Sequence, residues 1–334
     1  MSIEERVGQL FMVGTPADAA GRAALDAVTD RHVGGIFLHG RSRAGVAATA
    51  AMTARFTKLT DPGAPPLWIA TDQEGGEVQV LRGAGFDDMP YAIRQADRDA
   101  GELRSDAARW GRQLRDAGVT MNLAPVADIV TSHATRFDNP PIGGLGRQYG
   151  YDEQSVAATA GAFADGMRDA GVMPTLKHFP GLGRVTANTD YADDVVDTVV
   201  TADAPDVDVY RTLLADGPAV VMVGLAIYAR IDDGAPAAFS DRVVTGILRG
   251  QVGFDGVVMT DDLSATRAVA DIAPADRALD ALEAGCDLIL VSADPSVLPA
   301  MYDAVLERAR SDDAFAARVD AAAARIVTAK AAGL

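Results

Sequence analysis

With 334 residues, 49% of them apolar, the chain can bury a large core, yet no apolar run reaches the roughly 18 residues of a membrane-spanning helix. Its formal net charge of −17 argues against nucleic acid, which proteins bind by neutralising phosphates with Lys and Arg, and against anionic lipid surfaces. Cys286 is the only cysteine, which excludes an intrachain disulfide and a thiolate metal cluster.

The opening, MSIEERVGQLFMVG, has no leader pattern and reads as the start of a folded domain, so a cytoplasmic location is expected. A first strand is expected over residues 9–14 with a helix near 16–29, then a strand over 33–39 and a helix over 42–59. The third and fourth pairs are strand 67–71 with helix 92–117, and strand 120–125 with helix 151–170. The fifth and sixth are strand 173–177 with helix 203–216, and strand 219–224 with helix 240–251. The seventh is strand 256–260 with helix 264–284, and the eighth is strand 286–292 followed by a helical pattern through 294–330. Cys286 opens the last strand, CDLILV, where a small buried core residue is expected rather than a nucleophile. Several strands are continuous apolar runs, as expected for a parallel sheet covered on both faces. Eight strand–helix pairs predict an α/β fold, a closed (β/α)8 TIM-type barrel, with residues 1–334 forming one domain. An open doubly wound sheet is the alternative, but no G-x-G-x-x-G opens a helix after any strand.

In such a barrel the chemistry sits at the C-terminal ends of the strands. There the sequence places Asp72-Gln73-Glu74-Gly75-Gly76 after the third strand and Asp128 after the fourth. Lys177-His178 ends the fifth, and Asp261-Asp262 ends the seventh. Two carboxylates across a small polar cavity suit glycoside hydrolysis, in which one attacks the anomeric carbon and an acid protonates the leaving oxygen. Phosphate chemistry fits less well, because no P-loop is present and the glycines of DQEGG follow acidic residues. The four histidines, His32, His39, His133 and His178, show no ligand spacing, so no metal and no other cofactor is expected.

These residues lie in motifs that resemble the N-terminal barrel of glycoside hydrolase family 3, most closely its bacterial β-N-acetylglucosaminidase branch. In order they are VGQLFMVG, VGGIFL, IATDQEGGEVQVL, MNLAPVADI, NPPIGGLGRQYG, KHFPGLGRVTANTD, GFDGVVMTDDL and AGCDLILV. The resemblance implies a retaining β-glycosidase that removes terminal β-linked sugars, N-acetylglucosamine foremost. Its partner would be a small carbohydrate such as a cell-wall fragment, in peptidoglycan recycling. It makes Asp261 the nucleophile, with Asp262 free to serve as a helix cap. It makes Asp72, Arg147, Lys177 and His178 the groups that hold the sugar.

The sequence departs from that pattern where the family carries its acid/base. The branch usually reads KHFPGHG, then four residues, then Asp-Ser-His, with the last histidine as acid/base and the aspartate orienting it. Here the corresponding positions are Leu182, Asn188, Thr189 and Asp190. After the sixth strand Gly224-Leu225 replaces the usual Ser-His, and Glu77 replaces an arginine. Asp190 is therefore the candidate acid, provided that burial or a neighbouring carboxylate keeps it protonated near neutral pH. The alternative is a carbohydrate-binding barrel with weak turnover or none.

Overall fold

The computed structural model of the chain describes residues 1–332. Eight strands close into a parallel barrel: β1 Phe11–Pro16, β2 Gly35–His39, β3 Trp68–Thr71, β4 Met121–Asn122, β5 Met173–Phe179, β6 Val220–Val223, β7 Val258–Asp262 and β8 Leu288–Val291. Each pairs with its neighbours in sequence, and β1 closes the ring against β8, with Phe11 opposite Ile289 and Val13 opposite Val291. The strands β3, β6 and β8 are buried at every position, because helices cover one face and interior side chains the other.

The first strand starts later than expected because a helix, α1 (Ile3–Gln9), precedes it. Its signal is a capping box: the Ser2 hydroxyl accepts from the Glu5 amide while the Glu5 carboxylate accepts from the Ser2 amide. The outer helices follow as α2 (Arg22–Arg31), α3 (Val46–Thr57), α4 (Ala100–Asp116), α5 (Glu153–Asp169), α6 (Pro205–Ala215), α7 (Arg242–Gln251), α8 (Pro274–Ala284), α9 (Leu298–Ser311) and α10 (Asp313–Ala331). Three expected helices are divided. The 92–117 stretch is one turn, Ala92–Gln95, and then α4, which Asp99 caps. The 264–284 stretch becomes a 3-10 turn, Arg267–Val269, and then α8. The 294–330 pattern breaks where the Asp312 carboxylate accepts from the amides of Ala314 and Phe315 and starts a new helix. The segment α7 is wound as a π-helix.

The N-terminal end of the barrel is plugged by packing. Lys330 reaches in from α10, and its Nζ donates to Gln9 Oε1 and to the Gly34 carbonyl at 2.7 Å each, 5.3 Å from the Trp68 ring centre. Burial pushes this ammonium down to about 7, and a neutral amine still has two hydrogens for those two acceptors. Cys286 is buried at the same end, and burial pushes its thiol up, away from thiolate chemistry. No helix among the described residues is long and apolar enough to cross a membrane.

Candidate active site

At the opposite end lies a cavity of about 280 Å³, and all six residues singled out from the sequence line it: Asp72, Arg147, Lys177, His178, Asp190 and Asp261. The loop after β3 is held by its own side chains. Gln73 bonds both ways to the Leu81 backbone, and Asn122 bonds both ways to the Gln73 backbone. The loop turns through Gly75, at φ +106°, where an added Cβ would lie 2.1 Å from the Pro90 carbonyl oxygen.

This turn sends Glu74 inward, and the sequence reading had not singled it out. Arg147 grips Glu74 with two bonds, Nε to Oε2 at 2.9 Å and Nη2 to Oε1 at 2.7 Å. Lys177 Nζ lies 2.6 Å from Glu74 Oε1 and 2.7 Å from Asp72 Oδ1. Asp72, Lys177, Glu74 and Arg147 thus form a chain of alternating charge that sums to zero. Burial alone would raise the Glu74 carboxyl, but Arg147 and Lys177 outweigh it and hold it at about 2. Burial likewise works against the Lys177 charge, and Asp72 and Glu74 overcome it, so its ammonium sits above the usual lysine value. The Glu74 oxygens are both occupied within the protein. Asp72, at 28% side-chain exposure against 3% for Glu74, keeps one oxygen open to the cavity. Arg147 spends one Nη1 hydrogen on the Pro141 carbonyl and keeps one hydrogen on each terminal nitrogen for a ligand.

Asp128, fully buried, performs the equivalent task for His178. Its Oδ2 lies 2.8 Å from His178 Nδ1, while Oδ1 accepts from the amides of His178 and Leu182. A hydrogen is thereby fixed on Nδ1, and Nε2 is left for the cavity. The Lys177–His178 peptide is cis.

The two acids that end β7 have different surroundings. Asp262 accepts from the Ser264 amide and hydroxyl and from the Ser292 amide, tying the end of β7 to the end of β8. It caps no helix, because the helical segments that follow have Thr266 and Ala273 as their N-caps. Asp261 accepts only the adjacent Asp262 amide, at 2.8 Å. Asp190 comes from the loop after β5. That loop is pinned at its base by Asn139, whose Nδ2 donates to the carbonyls of Leu182 and Val185. Gly183 passes so close to the β4 loop that a Cβ would lie 2.0 Å from the Ile129 carbonyl oxygen. At its tip the Ala268 amide donates to Thr189 O and the Arg267 amide to Asp190 O, fastening the tip to the segment that follows Asp261. Asp190 is exposed on its solvent side at the loop tip, yet the surrounding protein and then the Asp261 charge raise its carboxyl above the ordinary value, while Arg147 and His178 act in the opposite direction.

Of the positions where the sequence departs from the family pattern, Leu182 lines the cavity beside Asn188 and Thr189, whereas Leu225 is buried outside it. Glu77 is also outside it. It accepts a hydrogen bond from the Tyr91 hydroxyl and faces a neighbouring cavity.

The chain is an enzyme of the (β/α)8-barrel class, with its charged cavity at the end of the barrel where that class carries its chemistry. Residues 2–329 match the family described as Glycosyl hydrolase family 3 N terminal domain, and the chain belongs to that family of glycoside hydrolases. It is 34% identical to the β-hexosaminidase LpqI of Mycobacterium tuberculosis (strain ATCC 25618 / H37Rv) over 99% of this chain and 83% of that protein. Among solved structures it superimposes with a TM-score of 0.98 on a β-N-acetylhexosaminidase from Beutenbergia cavernae DSM 12333, at 52% identity over 99% of both chains. A family 3 β-N-acetylglucosaminidase from Paenibacillus sp. str. FPU-7 gives a TM-score of 0.89 at 31% identity, over 99% of this chain and 62% of that one.

Proposed function

We propose that the protein is a retaining β-N-acetylhexosaminidase that removes terminal β-linked N-acetylglucosamine, with Asp261 as nucleophile and Asp190 as acid/base. A cell-wall fragment ending in that sugar is the proposed substrate class. The observation that carries the assignment of roles is the pairing of the acids. Asp72 and Glu74 are neutralised by Lys177 and Arg147, Asp128 is committed to His178, and Asp262 is occupied by backbone amides and the Ser264 hydroxyl. Among the described residues that line the cavity, Asp190 and Asp261 are the carboxylates left without a cation or a structural duty. The similarity to a β-N-acetylhexosaminidase and a β-N-acetylglucosaminidase supports the sugar.

In this reading Asp72, Arg147, Lys177 and His178 fix the hydroxyls of the terminal sugar. An Asp261 oxygen attacks the anomeric carbon, and the glycosidic C–O bond breaks as the leaving oxygen takes the proton of Asp190. Forming the ester removes the Asp261 charge, one of the causes that held the Asp190 carboxyl high. Asp190, having given up its proton, then stays ionised and is available as the base for the second step. It takes a proton from water, whose oxygen displaces Asp261.

Two variants test this. Asp261→Asn abolishes turnover, and a fluorinated glycoside that traps the intermediate labels Asp261 in the wild type. Asp190→Ala lowers hydrolysis of a disaccharide by about 10²–10⁴-fold, and lowers that of a nitrophenyl glycoside less, because nitrophenolate leaves without protonation. Azide restores the aryl rate. Labelling of another residue, inverted product stereochemistry, or an Asp190→Ala enzyme that cleaves disaccharides normally overturns the assignment.

A further inference from the structure

The segment that joins β7 to α8 follows directly on the two acids that end β7, and one side chain gathers it. Arg277, the fourth residue of α8, donates from Nε to the Ile272 carbonyl at 2.7 Å and from Nη2 to the Ala270 carbonyl at 3.2 Å. Its Nη1 donates to the carbonyls of Leu263 at 2.8 Å and Ser264 at 3.2 Å. Arg277 is 6% exposed, and every hydrogen bond that its guanidinium makes among the described residues goes to a backbone carbonyl of this one segment. A cation near the start of a helix faces the unfavourable end of the helix dipole, so these carbonyls, and not the helix, account for its place. Asp262 takes the amide and hydroxyl of Ser264 while Arg277 takes its carbonyl, so the chain just beyond the acids is held from both sides.

The same segment carries the fastening of the Asp190 loop. Between the carbonyls of Ser264 and Ala270, both held by Arg277, stands the 3-10 turn Arg267–Val269. The Ala268 amide of this turn donates to Thr189 O at 3.0 Å and the Arg267 amide to Asp190 O at 3.4 Å. The Arg267 side chain adds a fork on Asp193, with Nε 2.5 Å from Oδ1 and Nη2 2.8 Å from Oδ2. A continuous path of bonds therefore runs from the end of β7 through Arg277 to the backbone of Asp190. None of these bonds involves Asp72, Arg147, Lys177 or His178.

Retaining glycoside hydrolysis puts a narrow condition on such a path. The two carboxyls must lie about 5–5.5 Å apart, the proton passes only over hydrogen-bond distance, and a misplacement of about 1 Å costs about 10²-fold. We infer that Arg277 is a positioning residue that sets the spacing of Asp190 from Asp261. Its guanidinium folds residues 263–272 into a bracket of fixed span, with the nucleophile at one end and the fastening of the acid at the other. The inference rests on the roles proposed above for those two acids. It makes proton donation to a poor leaving group depend on a side chain that bonds to neither acid and to none of the groups proposed to hold the sugar.

The test compares Arg277→Lys with the wild type on a disaccharide and on a nitrophenyl glycoside, whose kcat/KM reports attack by Asp261 on an aglycone that leaves without protonation. A lysine keeps the charge, but its ammonium has three hydrogens and no fork, so it cannot hold the four carbonyls. The variant should lose about tenfold or more of kcat on the disaccharide, with KM within about twofold and the nitrophenyl kcat/KM down by less than about threefold. The exposed Arg267–Asp193 pair supplies variants that leave the barrel contacts in place. Arg267→Ala and Asp193→Ala should each cost the disaccharide about threefold, no more when combined, and the exchange of Arg267→Asp with Asp193→Arg should restore the rate. Equal losses on both substrates from Arg277→Lys, or no loss on either, refute the inference and leave the glycosidase reading standing. If Arg277→Lys does not fold, the exposed pair decides, and additive or absent effects there refute the inference. If Asp190→Ala cleaves the disaccharide normally, the assignment of the acid fails instead.

Discussion

Replacing Glu74 by Gln removes the negative centre that Lys177 and Arg147 share. Glu74 is held at about 2 against an ordinary 4.5, which corresponds to about 3 kcal/mol of preference for its charged form in the folded state. The side chain is 3% exposed, so solvent screening takes little from that figure. The variant leaves two buried cations facing only Asp72, and breaking a buried pair from one side costs about 3–5 kcal/mol. The expected loss at pH 6–7 is therefore about 3 kcal/mol, or about 4 °C in Tm for a chain of this length. The sign with pH follows from the lowered carboxyl. The stabilisation is fully present above pH 4.5 and is lost as pH falls from there towards 2, so wild type and variant should converge in acid. Urea unfolding at pH 6.5 and pH 3.5, each against Glu74→Gln, measures both quantities. The groups proposed to hold the sugar lose their alignment as well, so KM should rise. A variant as stable as the wild type at pH 6.5, or a difference that grows in acid, would falsify the reasoning.

Two further outcomes are expected. Lys330 is held at about 7 against an ordinary 10.5, so between these values the unfolded chain binds the extra proton and stability rises with pH; Lys330→Met should abolish that rise in unfolding curves taken from pH 7 to 10. Because Asp261 contributes to holding the Asp190 carboxyl high, carboxyl NMR of labelled aspartate should show Asp190 titrating lower in Asp261→Asn than in the wild type, and an unchanged titration would disconnect the two groups.

The barrel was legible because strands buried on both faces read as plain apolar runs, VVMV and LILV among them, and because the polar residue after such a run is fixed at the rim. Asp72, Lys177, His178 and Asp261 could be named for the same reason, whereas Arg147 and Asp190 lie on loops and were named from the motif resemblance. Glu74 was not, because its role is set by partners 73 and 103 positions away in sequence, Arg147 and Lys177, and nothing local distinguishes it from a solvated acid in a turn. Leu225 and Glu77 show the converse. As departures from a pattern they drew attention, yet one is core and the other faces the adjoining cavity. The start of α1 has a local signal in Ser2-x-x-Glu5, although no helix was expected there, whereas the break at Asp312 lies within a pattern whose apolar period continues across it.

The two carboxylates assigned to chemistry are mounted differently. Asp261 ends a barrel strand, beside a neighbour riveted to the next strand. Asp190 hangs on a loop fastened at its base by Asn139 and at its tip by two bonds to the backbone of residues 267–268. One partner in the reaction is therefore part of the frame and the other is a fitting. A change of length or composition between those two fastenings replaces the proton donor while the attacking group, the sugar grip and the barrel stay where they are. The arrangement makes the proposed acid an exchangeable component of the site.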